Sequence, residues 1–394
     1  MARTARSFYV APDKNAVYFI RCRTNRLLIL SPDQAGADAG ARRVRYIEDL
    51  IRLYARHFAI SVHAHAVTRC EIRLVLQSRP ELIPALDDAE IARRWLSICP
   101  TLRRGGELSA EPSEEEIQAL CKDSTRIAQI RRQLSDISWW MRLLQQRVAQ
   151  FCNRADNKTG RFWQARFRAV LLLDAMSHLA ALANVDLAAV RVRMGKPISA
   201  STFTSDVYRR KDLQHEIELQ RGIVQSDSQG IDSNSAIALT EVLTDTPSDG
   251  PVAIASQAQV ATTVCGDGRH LAPIFPCSES TCTATQITGW ISQFRCSEES
   301  VLNMQLSDYH ELLERTALGF QPDDPKLSSL NIPAVLSKLR LSPEKWVLLA
   351  GEFDELFSHV AGRLAEMDAY MPERGRQRAY VRPAARSLLR PCRT

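Results

Sequence analysis

The stretch CNRADNKTGRFWQARFRAV, Cys152 to Val170, sets five cations, Arg154, Lys158, Arg161, Arg166 and Arg168, among the rings of Phe162, Trp163 and Phe167. Only one acid, Asp156, lies among them. Cations that neutralise phosphates, beside flat rings on which unpaired bases stack, are what a single-stranded nucleic-acid platform needs. The same composition also describes buried aromatics under a solvated basic face. A second place for chemistry is HAHAVTRCEIRLVLQ, His63 to Gln77. Residues i and i+2 of a strand point to one side, so His63 and His65 form one polar pair and Glu71 and Arg73 another. Glu71 can ligate a hard cation. Arg73 cannot, having no acceptor lone pair, and is placed instead to neutralise Glu71. The two histidines are weak metal candidates, and a packed or hydrogen-bonded role suits them better.

The elements that must position these groups follow from periodicity. NAVYFIRCRTNRLLIL, residues 15–30, reads as two strands around a basic turn, Arg23-Thr24-Asn25-Arg26. Val44, Ile47, Leu50, Ile51, Tyr54 and Phe58 recur at helical spacing, and the strand pair holding His63 to Gln77 comes next. A helix forms around Trp95, and the charged stretch 101–130 is expected to be a solvated helix or loop. Ile137, Trp140, Met141, Leu144, Val148 and Phe151 make one apolar helical stripe. A strand after Gly160 and a helix over roughly 174–187 complete the order β-β-α-β-β-α-β-α, an α+β arrangement around an antiparallel sheet.

The 394 residues exceed what one core comfortably serves, so two folded units are expected. The first, 1–210, carries the nucleic-acid motifs. Residues 211–272, rich in Ser, Asp, Gln, Thr and Ala, read as a disordered linker. A helical C-terminal domain follows over 273–373, then a basic tail at 374–394. The net charge of +6 is unevenly spread: residues 1–210 hold 34 Lys and Arg against 21 Asp and Glu. Nearly all of those cations are arginine, whose planar fork suits phosphate. No apolar run is long enough for a membrane span, and the start lacks a secretory pattern, so a cytoplasmic protein without a membrane partner is expected. The ten cysteines lack zinc spacing and are expected as reduced thiols.

Taken position by position, several motifs resemble one family, the HUH-class single-strand tyrosine transposases, in particular those associated with REP elements. Asn153-Arg154 followed by Gly160-Arg161-Phe162-Trp163-Gln164-Ala165-Arg166-Phe167-Arg168 is similar to that family's Asn-Arg, turn, Gly-Arg-Phe-Trp-x-x-Arg-Phe-Lys run. SWWMRLLQQ, LLLDAMSHLAALANVDLAAVRV, STFTSDVYRR and VYFIRCRTNR have counterparts too. The resemblance implies a ferredoxin-like domain that binds single-stranded or hairpin DNA. It also implies cleavage by a helix-borne tyrosine, with a divalent ion held by two histidines of one strand and a polar group of the tyrosine helix.

This chain departs from that pattern where the chemistry sits. Glu71 and Arg73 stand at the histidine positions, Val148 stands near the tyrosine position, and Asn184 replaces a tyrosine further on. The resemblance therefore implies a DNA-binding protein that has lost cleavage, with no catalytic residue and no cofactor. Its DNA contacts would be Arg23, Arg26, Asn153, Arg154, Lys158, Arg161, Trp163, Arg166, Arg168 and Arg191. One alternative is a rewired nicking enzyme using Glu71, Asn153 and His63 or His65 around Mg²⁺ or Mn²⁺. Another is a protein-interaction module on the same fold. Family precedent admits a homodimer.

Overall fold

A computed structural model describes residues 9–11, 13–28, 37–100, 111–188, 204–220, 271, 304–318, 336, 341–371 and 382–389. The first strand, β1 (Ala16–Arg23), is an apolar run from Ala16 to Ile20 that ends in the alternation Arg21-Cys22-Arg23, and helix α1 (Ala37–His57) lays Val44, Ile47, Ile51 and Tyr54 against the core. Strands β2 (Ile60–Val67) and β3 (Glu71–Ser78) form the expected hairpin. Helices α2 (Asp88–Ile98), α3 (Glu114–Cys121), α4 (Ser124–Leu134) and α5 (Ile137–Ala155) lead to β4 (Arg168–Leu172) and α6 (Ala175–Asp186). Strands β1 to β4 run in the order β2-β3-β1-β4, and β1 is antiparallel to both neighbours. Two interlocked β-α-β units with this order are the ferredoxin-like arrangement, so the chain is α+β as its pattern implied.

The expected second strand at 27–30 is not seen at 27–28, and 29–30 fall outside the described residues. The physical reason is that β1 has no free edge: β3 pairs with it along one side and β4 along the other. The chain after Arg23 leaves the sheet instead.

The stretch expected to be solvated also packs. Residues 101–110 lie outside the described ones, but Ile117 of α3 and Ile127, Ile130 and Leu134 of α4 are buried. Ser113 and Glu116 close a capping box on α3, Asp123 caps α4 and Asp136 caps α5, which fixes where each helix starts.

Alternate residues of the sheet face two layers. On one side α1 and α5 pack together, with the Tyr54 ring edge-on to Trp140 at 5.4 Å and Tyr46 stacked on Phe151 at 4.1 Å. Burying an apolar side chain of the size of Ile51 or Phe58 in this layer contributes about 1.5 to 3 kcal/mol. On the other side lie α6 and the C-terminal helices α8 (Leu306–Leu318), α9 (Pro343–Gly351) and α10 (Phe353–Leu356), preceded by α7 (Ser205–Gln220). Phe19 of β1 meets Phe353 edge-on at 5.2 Å. A fifth strand, β5 (Val360–Ala361), pairs in parallel with β4. Helices α11 (Leu364–Tyr370) and α12 (Pro383–Leu388) follow. Apart from the end of α7 and Leu271, the stretch 211–272 lies outside the described residues, as do Arg191 and most of 374–394.

Candidate nucleic-acid interface

The basic loop 156–167 lies on the turn that follows β1. Asn25 donates its backbone N–H to the Phe162 carbonyl at 2.8 Å, Gln164 donates to the Arg23 carbonyl at 2.9 Å, and Thr24 forms a bridge with Trp163. From the other side the β2–β3 turn joins in: Thr24 N–H reaches the Cys70 carbonyl at 2.8 Å and Leu28 N–H the Arg69 carbonyl at 2.6 Å. Two left-handed residues, Asn157 (φ 48°) and Gly160 (φ 99°), bend the loop, which suits a short polar residue and a glycine.

One carboxylate holds this assembly. Asp156 accepts from Arg26 Nη1 at 2.9 Å and from Arg43 Nη2, while Arg43 Nη1 donates to the Leu27 carbonyl at 2.8 Å. Arg26 also donates to Asn153 Oδ1 and lies over the Phe162 ring, 5.1 Å from its centroid. The lone acid of the stretch is therefore spent on two inward-facing guanidiniums and leaves the outer cations uncompensated.

Those outer cations are Arg154, Lys158, Arg161 and Arg166, all exposed and none ion-paired among the described residues. Arg161 donates to the Trp163 carbonyl at 2.8 Å, and the Arg23 side chain is 51% exposed. The rings point the other way. Phe162 and Phe167 are buried, and the Trp163 indole N–H is committed to the Gln145 carbonyl of α5 at 2.8 Å. Trp163 thus anchors the loop to α5. Arg168 turns away from the loop and donates to the Phe357 carbonyl; burial, then Arg382, lowers its pKa.

The Glu71–Arg73 pair occupies the α6 face at the end of the sheet. Arg73 Nε donates to Glu71 Oε1 at 2.6 Å, Arg21 Nε to Oε2 at 2.7 Å, and Arg23 Nε approaches Oε2 at 3.3 Å. Burial alone raises the Glu71 pKa, but Arg73 and Arg21 outweigh it and bring it down to about 2. Arg21 also pairs with Asp354 of α10, and Arg73 Nη1 donates to Asn184 Oδ1. The Asn184 amide continues to the Ala350 carbonyl at 2.7 Å. The asparagine that stands where the resemblance has a tyrosine is thus the link between this centre and α9.

Val148 is fully buried on α5, in the layer that packs with α1, whereas Glu71 and Arg73 face α6. The positions at which the resemblance placed metal ligands and nucleophile therefore lie on opposite sides of the sheet. His63 and His65 are separated as well. A β-bulge between Val62 and Ala64 turns His63 to the α6 side, where its Nδ1 meets His178 Nε2 and its Nε2 meets Gln77 Oε1, both at 2.9 Å. His65 pairs across from Leu74 and faces α1, 3.8 Å from Glu48. Burial, then the adjoining His178, drives the His63 pKa well down, and burial brings His178 to about 4.

These residues do not fit a catalytic divalent cation. Glu71 is enclosed by guanidiniums, and among the described residues no group of three or more His, Cys, Asp or Glu is placed to hold a metal.

A further polar cluster escaped sequence reasoning. Asp186, at the end of α6, accepts from Arg209, from Ser205 Oγ at 2.5 Å and from the Tyr309 hydroxyl at 2.6 Å. Beside it the buried Asp206 lies 2.8 Å from Arg210 Nε and 3.3 Å from His310 Nδ1. The partners come from three helices far apart in the chain, so no local pattern could announce them.

No protein-family model and no curated protein matches this chain. Among solved structures, one described as the structure of the REP associates tyrosine transposase bound to a REP hairpin is similar at 12% identity, covering 58% of this chain and 92% of that one, with a TM-score of 0.29. A likeness at that level carries no argument about residues or roles.

Proposed function

We propose that the chain is a nucleic-acid-binding protein that holds single-stranded or hairpin DNA on its basic loop and does not cut it. The observation that supports this reading is how the charges are divided. Glu71 is saturated by Arg73 and Arg21, while Arg154, Lys158, Arg161 and Arg166 stand exposed without a carboxylate partner among the described residues. Exposed cations without carboxylate partners are available to phosphate oxygens, and releasing DNA counterions drives such binding. The motif resemblance to single-strand transposases favours DNA as the polyanion. Loss of cleavage follows from the side chains: Arg73 has no lone pair for a metal, and Val148 supplies no nucleophile.

The test is a labelled hairpin oligonucleotide incubated with the full chain, once with Mn²⁺ and once with EDTA. Equal binding in both, with neither a nick nor a covalent adduct, is the expected result. A metal-dependent product would overturn the non-cleaving reading, and absence of binding would overturn the DNA reading.

A further inference from the structure

The loop cations are one flank of a larger surface. The turn 24–28 lies in the middle, hydrogen-bonded to the basic loop through Asn25 and Phe162 and to the β2–β3 turn through Thr24 with Cys70 and Leu28 with Arg69. Helix α1 meets the same turn where Arg43 donates to the Leu27 carbonyl. The neighbour of Arg43 in sequence, Arg42, is exposed, and so is Arg69 in the β2–β3 turn. Neither pairs with a carboxylate among the described residues. Within the segments that meet here, Arg42–Arg45, 24–28, Arg69–Cys70 and 153–167, the only acid is Asp156, and it is held inward by Arg26 and Arg43.

Two further features define what this surface can grip. It gathers cations from three segments, the loop, the start of α1 and the β2–β3 turn, around one central turn, so more than one run of phosphates can be met at once. It offers little ring surface from the loop, since Phe162 and Phe167 are buried and Trp163 is half-buried with its N–H committed to Gln145. Unstacked bases are read by stacking and by edge contacts, and backbones by charge and geometry.

Building on the DNA-binding reading above, we propose that Arg42 and Arg69 form the second flank of the site, and that the site grips both backbones of a duplex stem without reading its bases. The stem lies across the 24–28 turn, with Arg154, Lys158, Arg161 and Arg166 on one strand and Arg42 and Arg69 on the other. Neither Arg42 nor Arg69 belongs to the motifs that marked the loop, and only the folded turn brings them to it.

The experiment measures fluorescence anisotropy of the full chain with a labelled blunt hairpin, with a second hairpin of equal length and unrelated stem sequence, and with a single strand of the same composition. The double variants R42Q/R69Q and R161Q/R166Q are compared, with circular dichroism melts to confirm that both fold. The two hairpins are expected to bind within about twofold of each other and tighter than the single strand. R42Q/R69Q is expected to weaken hairpin binding at least tenfold, and to reduce the slope of log affinity against log salt by about 2. Wild-type affinity in R42Q/R69Q alongside loss in R161Q/R166Q would overturn the second flank and leave the basic loop as the DNA site. Tighter binding of the single strand would overturn the duplex grip. Failure of the wild-type chain to bind any of the three would overturn the DNA-binding reading itself and this inference with it.

Discussion

Arg73 Nε donates to Glu71 Oε1 at 2.6 Å, from two residues further along the same strand. The guanidinium is a fixed internal cation. It stands between the carboxylate of Glu71, the amide oxygen of Asn184 and, at 3.9 Å, the carboxylate of Asp354, and it ties the sheet to α6 and to the C-terminal helices. Removing Arg73 alone leaves Glu71 and Asp354 with one buried cation fewer between them, whereas removing Glu71 as well leaves Arg21 paired with Asp354 and much less charge unmatched.

Arg73→Ala is therefore expected to destabilise the fold by about 3 to 5 kcal/mol, and Glu71→Ala/Arg73→Ala by less than the sum of the single changes. Urea unfolding followed by circular dichroism measures both. Additive losses would show that the pair is not coupled.

The same contact fixes an acid dependence. The Glu71 pKa is lowered from an ordinary 4.5 to about 2, so its contribution is fully present above the unfolded value and disappears as pH falls through the folded one. That contribution is on the order of 3 kcal/mol. Between pH 4.5 and 2, wild-type stability should fall more steeply than that of Glu71→Gln, which cannot titrate there. Parallel acid curves would contradict the assignment.

Asp206 behaves in the opposite sense. Burial and the neighbouring Asp186 raise its pKa toward neutrality despite Arg210 and Arg209. A raised folded-state pKa stabilises below the unfolded value, and that stability is lost as pH climbs through the folded one. Relative to wild type, Asp206→Asn should gain stability from pH 5 to pH 8, as read from urea midpoints at the two values. A constant difference would mean that Asp206 is ionised throughout.

Asp156 gives a result that simple electrostatics would not suggest. Removing an acid from a DNA-binding face ordinarily tightens binding, but Asp156 clasps Arg26 and Arg43 and so holds the basic loop on its turn. Asp156→Ala is expected to weaken hairpin binding about tenfold, with partial recovery in Asp156→Glu. Tighter binding by the alanine variant would show that the clasp does not position the cations.

Much of this scaffold was legible in the sequence because periodicity is local. The stripe from Val44 to Phe58, the strand pair and the stripe from Ile137 to Val148 each appear where their spacing placed them. The second strand after β1 was misread because an apolar β-forming run does not reveal that both edges of β1 are already paired. His63 and His65 look like a pair on one face until a bulge, invisible in the residue types, sends them to opposite layers. The contact of Arg21 with Asp354 spans 333 residues, and nothing in either local pattern marks it. At the basic loop, composition named the cations well, but it could not tell that Phe162 and Phe167 among them are buried.

The most direct test of the account is the salt dependence of hairpin binding by the full chain. Log affinity should fall linearly with log salt, with a slope of about −4 or steeper, and replacing Arg154, Lys158, Arg161 and Arg166 with glutamine should remove most of that slope. Affinity indifferent to salt, or a fourfold variant that binds like the wild type, would contradict it.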